Sequence, residues 1–451
     1  MLIFISDLHF VDGTAGEHNP PTKAFEYFFD DLVAIAGKES NTIKEIKIVL
    51  LGDVFDLLRT EKWFSYAENE RPWGNDEAAI EQNALDIFDA IMFHGENSNT
   101  FTIIRDQLKG LKDRCEREAR CQLESDPRLF YIPGNHDRLV NKYGSLRVKV
   151  CECLGIPRQQ HSPADPFPHN YEDLPYGVFA RHGHEFDKFN YEGGESYGEL
   201  DYLRVPIGDP ITTELVAGLP FTLRKNLQNT AHSIWPNLSA AEVAIEIAKI
   251  NRNFQEIENV RPLSSVIEWL LYQVKQNRWL KEVVEDSVIE VADNFDKLEF
   301  VKLWYERHDK WTNWLDEADK IQAVLFLFRN FKLYRTEKLW ELVIKAKDYF
   351  VKDDLLEAAP QEYLHLPPGI QYVVYGHTHD PLVMPLRTVP GPAAVLEQVY
   401  LNTGTWRDRH WKATQDASFI SWKNMTYVIF YRDEERTGRK ADFETWTGAQ
   451  K

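Results

Sequence analysis

Short clusters of histidine, aspartate and asparagine recur along this chain, each directly after a short apolar run that is typical of a β-strand. In an α/β sheet, the loops that leave the carboxyl ends of the strands form the ligand crevice. Segments far apart in the sequence can therefore meet at one site. The runs and their clusters are Leu2 to Ile5 before Asp7-Leu8-His9, Ile46 to Leu51 before Gly52-Asp53-Val54-Phe55-Asp56, Leu129 to Ile132 before Gly134-Asn135-His136-Asp137, Val178 to Ala180 before His182-Gly183-His184, and Tyr372 to Tyr375 before Gly376-His377-Thr378-His379.

Helical segments alternate with these runs in the first part of the chain, a pattern that predicts an α/β fold. Apolar residues recur with helical spacing in Thr22 to Lys38, Asn75 to Gly95 and Phe101 to Arg120. Two later apolar runs, Glu397 to Leu401 and Thr426 to Tyr431, predict that the chain re-enters its sheet near the end.

Between about Lys188 and about Leu366 the strand-like runs disappear and helical periodicity dominates. The apolar stripe from Val243 to Ile257 is narrow, as in a helix that packs on another helix. We therefore divide the chain into a core, 1–187 and 367–451, and a helical insertion, 188–366, which we expect to form a cap beside the cleft. Further insertion helices are predicted at Val266 to Leu280, Ile321 to Phe331 and Leu339 to Phe350. The charged tail from Asp433 to Lys451 is either a loosely held terminus or an edge element.

The chain carries 71 acidic and 52 basic residues, a formal charge of -19. A field of this sign repels polyanions and disfavours non-specific binding to nucleic acid or anionic membranes. The spacing of the cysteines, Cys115, Cys121, Cys151 and Cys153, fits neither a zinc framework nor a secreted disulfide scaffold. The apolar run after Met1 is too short for a secretion signal, and no stretch reaches the length of a membrane helix. We expect a cytoplasmic protein without a membrane span.

The clusters offer imidazole nitrogen and carboxylate oxygen without thiolate, a donor set that suits manganese, iron or zinc. If the chain stays extended at Asp7 and His9, their side chains point the same way and can bind one ion together. His377 and His379 can form such a pair or divide between two ions. The glycines before three clusters allow sharp turns and close backbone approach. They are Gly52, Gly134 and Gly376.

The order Asp-x-His, Gly-Asp-x-x-Asp, Gly-Asn-His-Asp, His-Gly, Gly-His-x-His resembles the calcineurin-like metallophosphoesterase superfamily. The motifs span Asp7 to His379, whereas the helical insertion resembles no family. The resemblance implies a layered α/β sandwich, interrupted here by the large insertion, with a site for two divalent metal ions, manganese first among them.

The resemblance also implies a role for each matching residue. One metal would be held by Asp7, His9, Asp53 and His379, and the other by Asp53, Asn135, His182 and His377. Asp53 would bridge the ions together with a water or hydroxide that acts as nucleophile. His136 would be the general acid or transition-state stabiliser, and Asp56 would orient its ring.

Several neighbouring residues leave two interpretations open. In His182-Gly183-His184 the family pattern uses the first histidine, which leaves His184 to contact a ligand or the substrate. Asp187 and Asp380 are either partners of the ligands or solvated loop acids. Arg59 and Arg138 either meet substrate phosphate or form surface salt bridges, the more common role. The segment Asn402 to Trp406 is predicted to support the site from beneath.

The insertion is rich in tryptophan, and tryptophans at helical spacing are more often core than a base-stacking surface. These residues are Trp235, Trp269, Trp279, Trp304, Trp311, Trp314 and Trp340.

Hydrolysis of a phosphoric ester or anhydride is the reaction that the resemblance implies. The acidic surface favours a phosphodiesterase or pyrophosphatase for small nucleotide-like or lipid-linked substrates. A nuclease ranks second because the sequence shows no basic strip, and a protein phosphatase is a weaker option. A scaffold that keeps the fold only to bind partners would be expected to lose ligands or the proton donor, and none of these residues is missing. The sequence leaves the oligomeric state open.

Overall fold

A computed structural model describes residues 1–17, 19–38, 42–194, 201–260, 265–276, 278–308, 317–329, 354–390, 395–416, 418–436 and 442–450. In these residues the strands are β1 (Leu2–Ile5), β2 (Lys47–Leu51), β3 (Arg128–Ile132), β4 (Asn170–Asp173), β5 (Val178–Arg181), β6 (Tyr372–Tyr375), β7 (Leu382–Pro390), β8 (Val395–Asn402), β9 (Asp408–Lys412), β10 (Phe419–Phe430) and β11 (Phe443–Gln450).

The described α-helices of the core all precede the insertion. They are α1 (Thr22–Ala36), α2 (Glu77–Phe93), α3 (Asn97–Ala119), α4 (Arg138–Lys142) and α5 (Gly144–Leu154). The described helices of 188–366 are α6 (Gly208–Pro210), α7 (Gly218–Ile234), α8 (Ala240–Gln255), α9 (Ser265–Gln276), α10 (Lys281–Lys297), α11 (Glu299–His308), α12 (Glu317–Arg329) and α13 (Asp354–Glu362), with a π-helical turn, Ile211–Ala217, joining α6 to α7.

Both sheets are mixed. The first has the order β11-β10-β1-β2-β3, in which β1 is parallel to β2 and antiparallel to β10, and β9 pairs with the other end of β10. The second has the order β4-β5-β6-β8-β7, with β5, β6 and β8 parallel to one another. The structure therefore confirms an α/β fold.

The two sheets pack face to face, and helices cover their outer faces. Because side chains alternate along a strand, Leu2 and Phe4 of β1 face the second sheet, while Ile3 and Ile5 face α1, α2, α3 and α5. The outer face of the second sheet packs against Leu355 and other residues of α13. The layers run helices, sheet, sheet, helix, and β1, β2 and β3 end at the same edge.

The insertion has an apolar core of its own and contacts loops beyond the carboxyl ends of the core strands. The stripe of α8 packs on α7, as predicted. Thr213 donates a hydrogen bond of 2.9 Å to the Leu58 carbonyl, in the loop after β2. Gln255 donates one of 2.7 Å to the Thr14 carbonyl, after β1. The insertion and the clusters therefore lie at the same edge of the first sheet.

The tryptophans of the insertion differ in burial. Trp269 and Trp304 are fully buried core residues, as predicted, whereas Trp279 is exposed. The predicted helix Leu339 to Phe350 lies outside the described residues, as do Trp311, Trp314 and Trp340. None of the described helices combines the length and the apolar character needed to cross a membrane.

Candidate metal centre

The structure brings side chains of all five clusters together and gathers them in overlapping groups of potential metal ligands. The groups are Asp7 with His9 and His379, Asp53 with His182 and His377, and His9 with Asp56 and His136. Residues from the two ends of the chain thus meet at one site. Its oxygen and imidazole donors could hold a divalent metal ion.

The ligand atoms of the first group are spaced for a single ion. His9 Nε2 lies 3.1 Å from His379 Nε2 and 3.8 Å from Asp7 Oδ1, and His379 Nε2 lies 3.2 Å from Asp7 Oδ1. Donors that bind one ion at about 2.1 Å, with angles between about 90° and 120°, lie about 3.0 to 3.6 Å apart. Two of the three separations fall within this range and the third, 3.8 Å, lies just above it, so the triangle is close to the size that one ion needs.

The backbone beneath the ligands adopts a conformation that L-amino acids other than glycine rarely take. Among the described residues, positive φ angles outside glycine occur at Asp7 (53°), His9 (47°), Asp53 (52°), Arg120 (53°), His377 (69°) and His379 (63°). Apart from Arg120, which caps the end of α3, these are all candidate ligands. The prediction that Asp7 and His9 pair from an extended segment is therefore wrong: β1 ends at Ile5, and two left-handed residues bring the side chains together.

Two of the glycines allow ligands to approach the backbone closely, as predicted. Gly52 has a φ of +86°, and a Cβ atom there would lie 2.2 Å from His182 Nδ1. A Cβ atom on Gly134 would lie 2.2 Å from Asp53 Oδ1. Side chains at these positions would displace candidate ligands.

Hydrogen bonds to the far ring nitrogens orient two of the histidines. His9 Nδ1 lies 3.0 Å from Asp56 Oδ2, and His182 Nδ1 lies 2.9 Å from the Leu51 carbonyl oxygen. With a metal ion bound, each Nδ1–H would donate to its oxygen and Nε2 would supply the lone pair to the ion. Metal-binding histidines are commonly held in this way by a carboxylate or a backbone carbonyl.

Asp53 lies between the two main groups. Its Oδ2 atom is 3.6 Å from His9 Nε2 and 3.2 Å from His182 Nε2. Burial alone would raise the pKa of Asp53, but the charges of His182 and His136 outweigh it and lower the pKa. Asp53 is therefore an anion that faces both groups.

Asn135 is held beside Asp53 by its neighbours in the chain, since the His136 backbone N–H donates to Asp53 Oδ1 at 2.9 Å. Some buried polar atoms at the site have no hydrogen-bond partner among the described residues. They are Asp7 Oδ1, Asn135 Oδ1 and His182 Nε2. Such atoms are costly unless another group satisfies them. A bound cation is a group that oxygen atoms and an imidazole lone pair can satisfy together.

The third group is better described as two histidines that share an orienting carboxylate. Asp56 Oδ1 lies 2.8 Å from His136 Nδ1, while its Oδ2 atom contacts His9. Arg59 also pairs with Asp56, at 3.2 Å. Burial opposes the charged form of His136, but Asp56 and Asp53 raise its pKa to about 9. His136 is therefore protonated near neutral pH, with its Nδ1 occupied by Asp56.

The neighbouring residues whose roles the sequence left open now have definite contacts. His184 is buried and lies outside the ligand groups, and burial lowers its pKa to about 3. Asp187 contacts His377, with Asp187 Oδ2 3.0 Å from Nε2. Asp380 is exposed and pairs with Arg409. Arg138, like Arg59, forms a buried ion pair and not a surface one, with Asp209 at 2.6 Å.

The segment Asn402 to Trp406 supports the site, as predicted. Asn402 Nδ2 donates to the Gly376 carbonyl at 2.6 Å, and Thr405 Oγ1 donates to the Asp7 carbonyl at 2.7 Å. This segment therefore joins the loops that carry the first and the last clusters.

Two supporting residues were not predicted from the sequence. Asp137 accepts backbone N–H bonds from Val54, Phe55 and Gly134, and so joins the second cluster to the third. The buried Arg409 donates to the His379 carbonyl at 2.9 Å. Asp137 is the last residue of the third cluster, so its position in the sequence could have indicated a role at the site. Nothing in the sequence indicated such a role for Arg409, because β9 was not predicted.

No family model matches the chain, and no match is found among curated proteins. The arrangement itself can hold a small cation between carboxylate and imidazole donors. It also places a protonated histidine next to that position. A metal ion and a nearby proton donor are groups that metal-assisted hydrolysis can use.

Proposed function

We propose that this protein is a dinuclear metal-dependent phosphoesterase with the layered sandwich fold of the calcineurin-like superfamily. The observation that carries the proposal is the position of Asp53, whose Oδ2 atom faces His9 on one side and His182 on the other. One carboxylate oxygen between two groups of donors is what a pair of neighbouring ions requires.

The ligands divide between two positions. Asp7, His9 and His379 would hold one ion, with Asp53 shared. Asp53, Asn135, His182 and His377 would hold the other. When bound, the ions would supply charge stabilisation at the phosphoryl oxygens and lower the pKa of water. Manganese is the first candidate for this donor set, with iron and zinc as alternatives.

His136 supplies the proton that a leaving group needs. Its Nδ1 atom is held by Asp56, so Nε2 is the nitrogen that can donate to an ester oxygen. Burial opposes the charged ring, but Asp56 and Asp53 raise the pKa of His136 to about 9, and the contact of Asp56 with Nδ1 favours the protonated form. Asp56 stabilises the doubly protonated ring and fixes its orientation. General acid catalysis of this kind contributes about 10²-fold to 10⁴-fold in rate.

The substrate class follows from charge and position. The formal charge of -19 disfavours long polyanions. Helices that contact the loops around the site can enclose a small ligand. We therefore propose a phosphodiesterase or pyrophosphatase that acts on small nucleotide-like or lipid-linked substrates.

A substrate panel with added Mn²⁺ tests this proposal. Bis-p-nitrophenyl phosphate, p-nitrophenyl phosphate, single-stranded DNA and a nucleoside diphosphate would be compared, and we expect fastest turnover of the diester or the diphosphate. His136→Ala should lower kcat by about 10² to 10⁴ while leaving Mn²⁺ binding intact. Asp53→Asn should abolish both.

Three results would contradict the proposal. Turnover that survives replacement of both Asp53 and His136 by alanine would refute the mechanism. Absence of hydrolysis on every substrate, with two ions bound, would favour a scaffold that retains the site without using it. Fastest turnover of the single-stranded DNA would support a nuclease instead.

A further inference from the structure

A short turn at the start of the insertion contacts two of the candidate ligands. We name residues 187–190 the entry turn. Asp187 Oδ2 lies 3.0 Å from His377 Nε2, and Asn190 Oδ1 accepts a hydrogen bond of 3.2 Å from Asn135 Nδ2. Asn190 Nδ2 in turn donates to Asp187 Oδ2 at 2.7 Å, so one hydrogen-bonded unit holds both ligands.

These contacts decide which atoms of the two ligands remain able to bind a metal ion. Because His377 Nε2–H donates to Asp187, Nδ1 is the nitrogen that carries the lone pair. Because Asn135 Nδ2 donates to Asn190, Oδ1 is the amide atom left for the site, and that atom is buried without a hydrogen-bond partner among the described residues. Both ligands therefore present an electron-pair donor, as a cation requires.

The entry turn is fixed by its own hydrogen bonds. Asp187 Oδ1 accepts from the Phe189 backbone N–H at 2.9 Å, and the Asp187 carbonyl accepts from the Asn190 backbone N–H, also at 2.9 Å. Because these hydrogen bonds already order Asp187 and Asn190, their side chains lose little further conformational freedom when they bind a ligand residue. The turn is therefore a rigid support for the ligands.

The first helix of the insertion docks on the entry turn. The Gly208 backbone N–H donates to the Phe189 carbonyl at 2.7 Å, and a Cβ atom at Gly208 would lie 2.3 Å from Asn190 Oδ1. The next residue, Asp209, forms the buried ion pair with Arg138 in α4. The helix α6 thus contacts the entry turn through Gly208 and the core helix α4, close to Asn135, through Asp209.

We propose that Asp187 and Asn190 are positioning residues that set the affinity of the second metal position, so that occupancy of this position depends on docking of the insertion. The proposal rests on the proposed function, since it assumes two metal positions. The proposal adds a means of regulation: a change that breaks the contact between α6 and the entry turn would release the second ion before the first.

The test is calorimetric titration of the metal-free full chain with MnCl₂. For the wild type we expect two binding events. Asp187→Asn and Asn190→Ala should each weaken one event by about 10-fold to 100-fold and leave the other unchanged. Gly208→Ala should act in the same direction because it displaces Asn190. Electron paramagnetic resonance at two equivalents of Mn²⁺ should show a coupled ion pair in the wild type and mainly uncoupled ions in the variants.

Asp201→Asn is the matched control. Asp201 is a carboxylate of the insertion whose side chain bonds Leu203 and Arg204, neither of which is a candidate ligand. This variant should bind both ions like the wild type. If Asp187→Asn and Asn190→Ala bind both ions as tightly as the wild type does, this inference is overturned and the proposed function stands. A wild type that binds fewer than two ions would overturn both. Equal weakening of both events, with a lowered melting temperature, would mean a merely structural role and would also overturn the inference.

Discussion

Several candidate ligands have a positive φ angle, a backbone conformation that residues other than glycine rarely adopt. A non-glycine residue in a sparsely populated region of φ and ψ costs on the order of 1 to 3 kcal/mol, and it persists only where its surroundings hold it. At Asp7 they do: its carbonyl accepts from Thr405, and its Oδ2 atom accepts from the His377 backbone N–H at 3.1 Å. Of the two residues that hold Asp7, His377 is itself a candidate ligand, so the same contact supports the unfavourable backbone and joins two parts of the site.

A methyl group at Gly134 should damage the site directly. Its Cβ atom would lie 2.2 Å from Asp53 Oδ1 and 2.6 Å from the Asp53 backbone nitrogen. We expect Gly134→Ala to lower the free energy of unfolding by roughly 1 to 3 kcal/mol. We also expect it to weaken Mn²⁺ binding, because Asp53 must move. Chemical denaturation and calorimetry measure the two effects.

Gly110→Ala serves as the control for that variant. Gly110 lies inside α3, and a Cβ atom there would meet nothing within 4 Å. Alanine in a helix interior is favoured over glycine by about 0.5 to 1 kcal/mol, so this variant should be stabilised with unchanged metal binding. A Gly134→Ala protein that behaves like Gly110→Ala would contradict the close packing described for Asp53.

Among secondary-structure elements, the central strands were predicted from the sequence and several peripheral ones were not. Predicted β1 and β6 agree with the structure, and β2, β3 and β5 differ by one residue at one end. The sequence does not predict β4, β7 or β9, and β11 is one of two interpretations of the tail. Each of these four strands has only one neighbouring strand in its sheet, whereas the predicted edge strand β3 has an apolar run. Edge strands are buried less and carry polar residues, so the apolar pattern that reveals a central strand is weak in them.

The buried pair Arg138–Asp209 joins α4 to α6 and should dominate the docking of these two helices. Their side chains are 7% and 1% exposed. Removing one partner of a buried pair leaves an uncompensated charge, so we expect Asp209→Ala to cost about 3 to 5 kcal/mol. Asp126→Ala removes a partner of Lys112 that is 90% exposed, and it should cost less than about 1 kcal/mol. Urea denaturation distinguishes these outcomes, and similar costs for both would refute the assigned docking role.

The helix α13 carries a carboxylate that should make stability depend on pH. Burial raises the pKa of Glu362 from 4.5 to about 7, against the lowering effect of Arg181. The folded state therefore binds this proton more tightly than the unfolded chain. The resulting stabilisation is complete below the unfolded pKa and is lost as the pH rises through about 7.

The free energy of unfolding of the wild type, relative to Glu362→Gln, should accordingly fall between about pH 4 and about pH 8, by an amount on the order of 3 kcal/mol. Denaturant titrations at several pH values measure this difference. Glu357→Gln changes an exposed carboxylate of the same helix and should retain the wild-type dependence. A difference between wild type and Glu362→Gln that does not vary with pH would show that Glu362 does not titrate in this range.

On the scale of the whole molecule, local motifs predicted which side chains would converge, but not what holds them. Each cluster of candidate ligands could be recognised from a few adjacent residues in the sequence. The supports are contacts between distant segments, such as Asn190 with Asn135 and Arg409 with the His379 carbonyl. No local pattern reports such a contact, because both partners are ordinary polar residues until the chain has folded.

Metal ions should stabilise the entire fold, since the site joins residues from both ends of the chain. An ion that binds only the folded state at 100 times its Kd adds about 2.7 kcal/mol to the free energy of unfolding. We expect added Mn²⁺ to raise the melting temperature of the wild type and a chelator to reverse the rise. Asp53→Asn should lose the effect and Asp126→Ala should keep it. An equal rise in Asp53→Asn would place the stabilising ion elsewhere.

The position of β1 has a consequence for how the protein is made. This wholly buried strand pairs with β2 on one side and with β10 on the other, where Leu2 is opposite Phe430. During synthesis β1 leaves the ribosome before the insertion and the strands of the second sheet, and all of these precede β10. Throughout that interval one edge of an apolar strand has unpaired backbone groups, which is a template for aggregation. The nascent chain therefore depends on shielding of this edge until β10 has been synthesised.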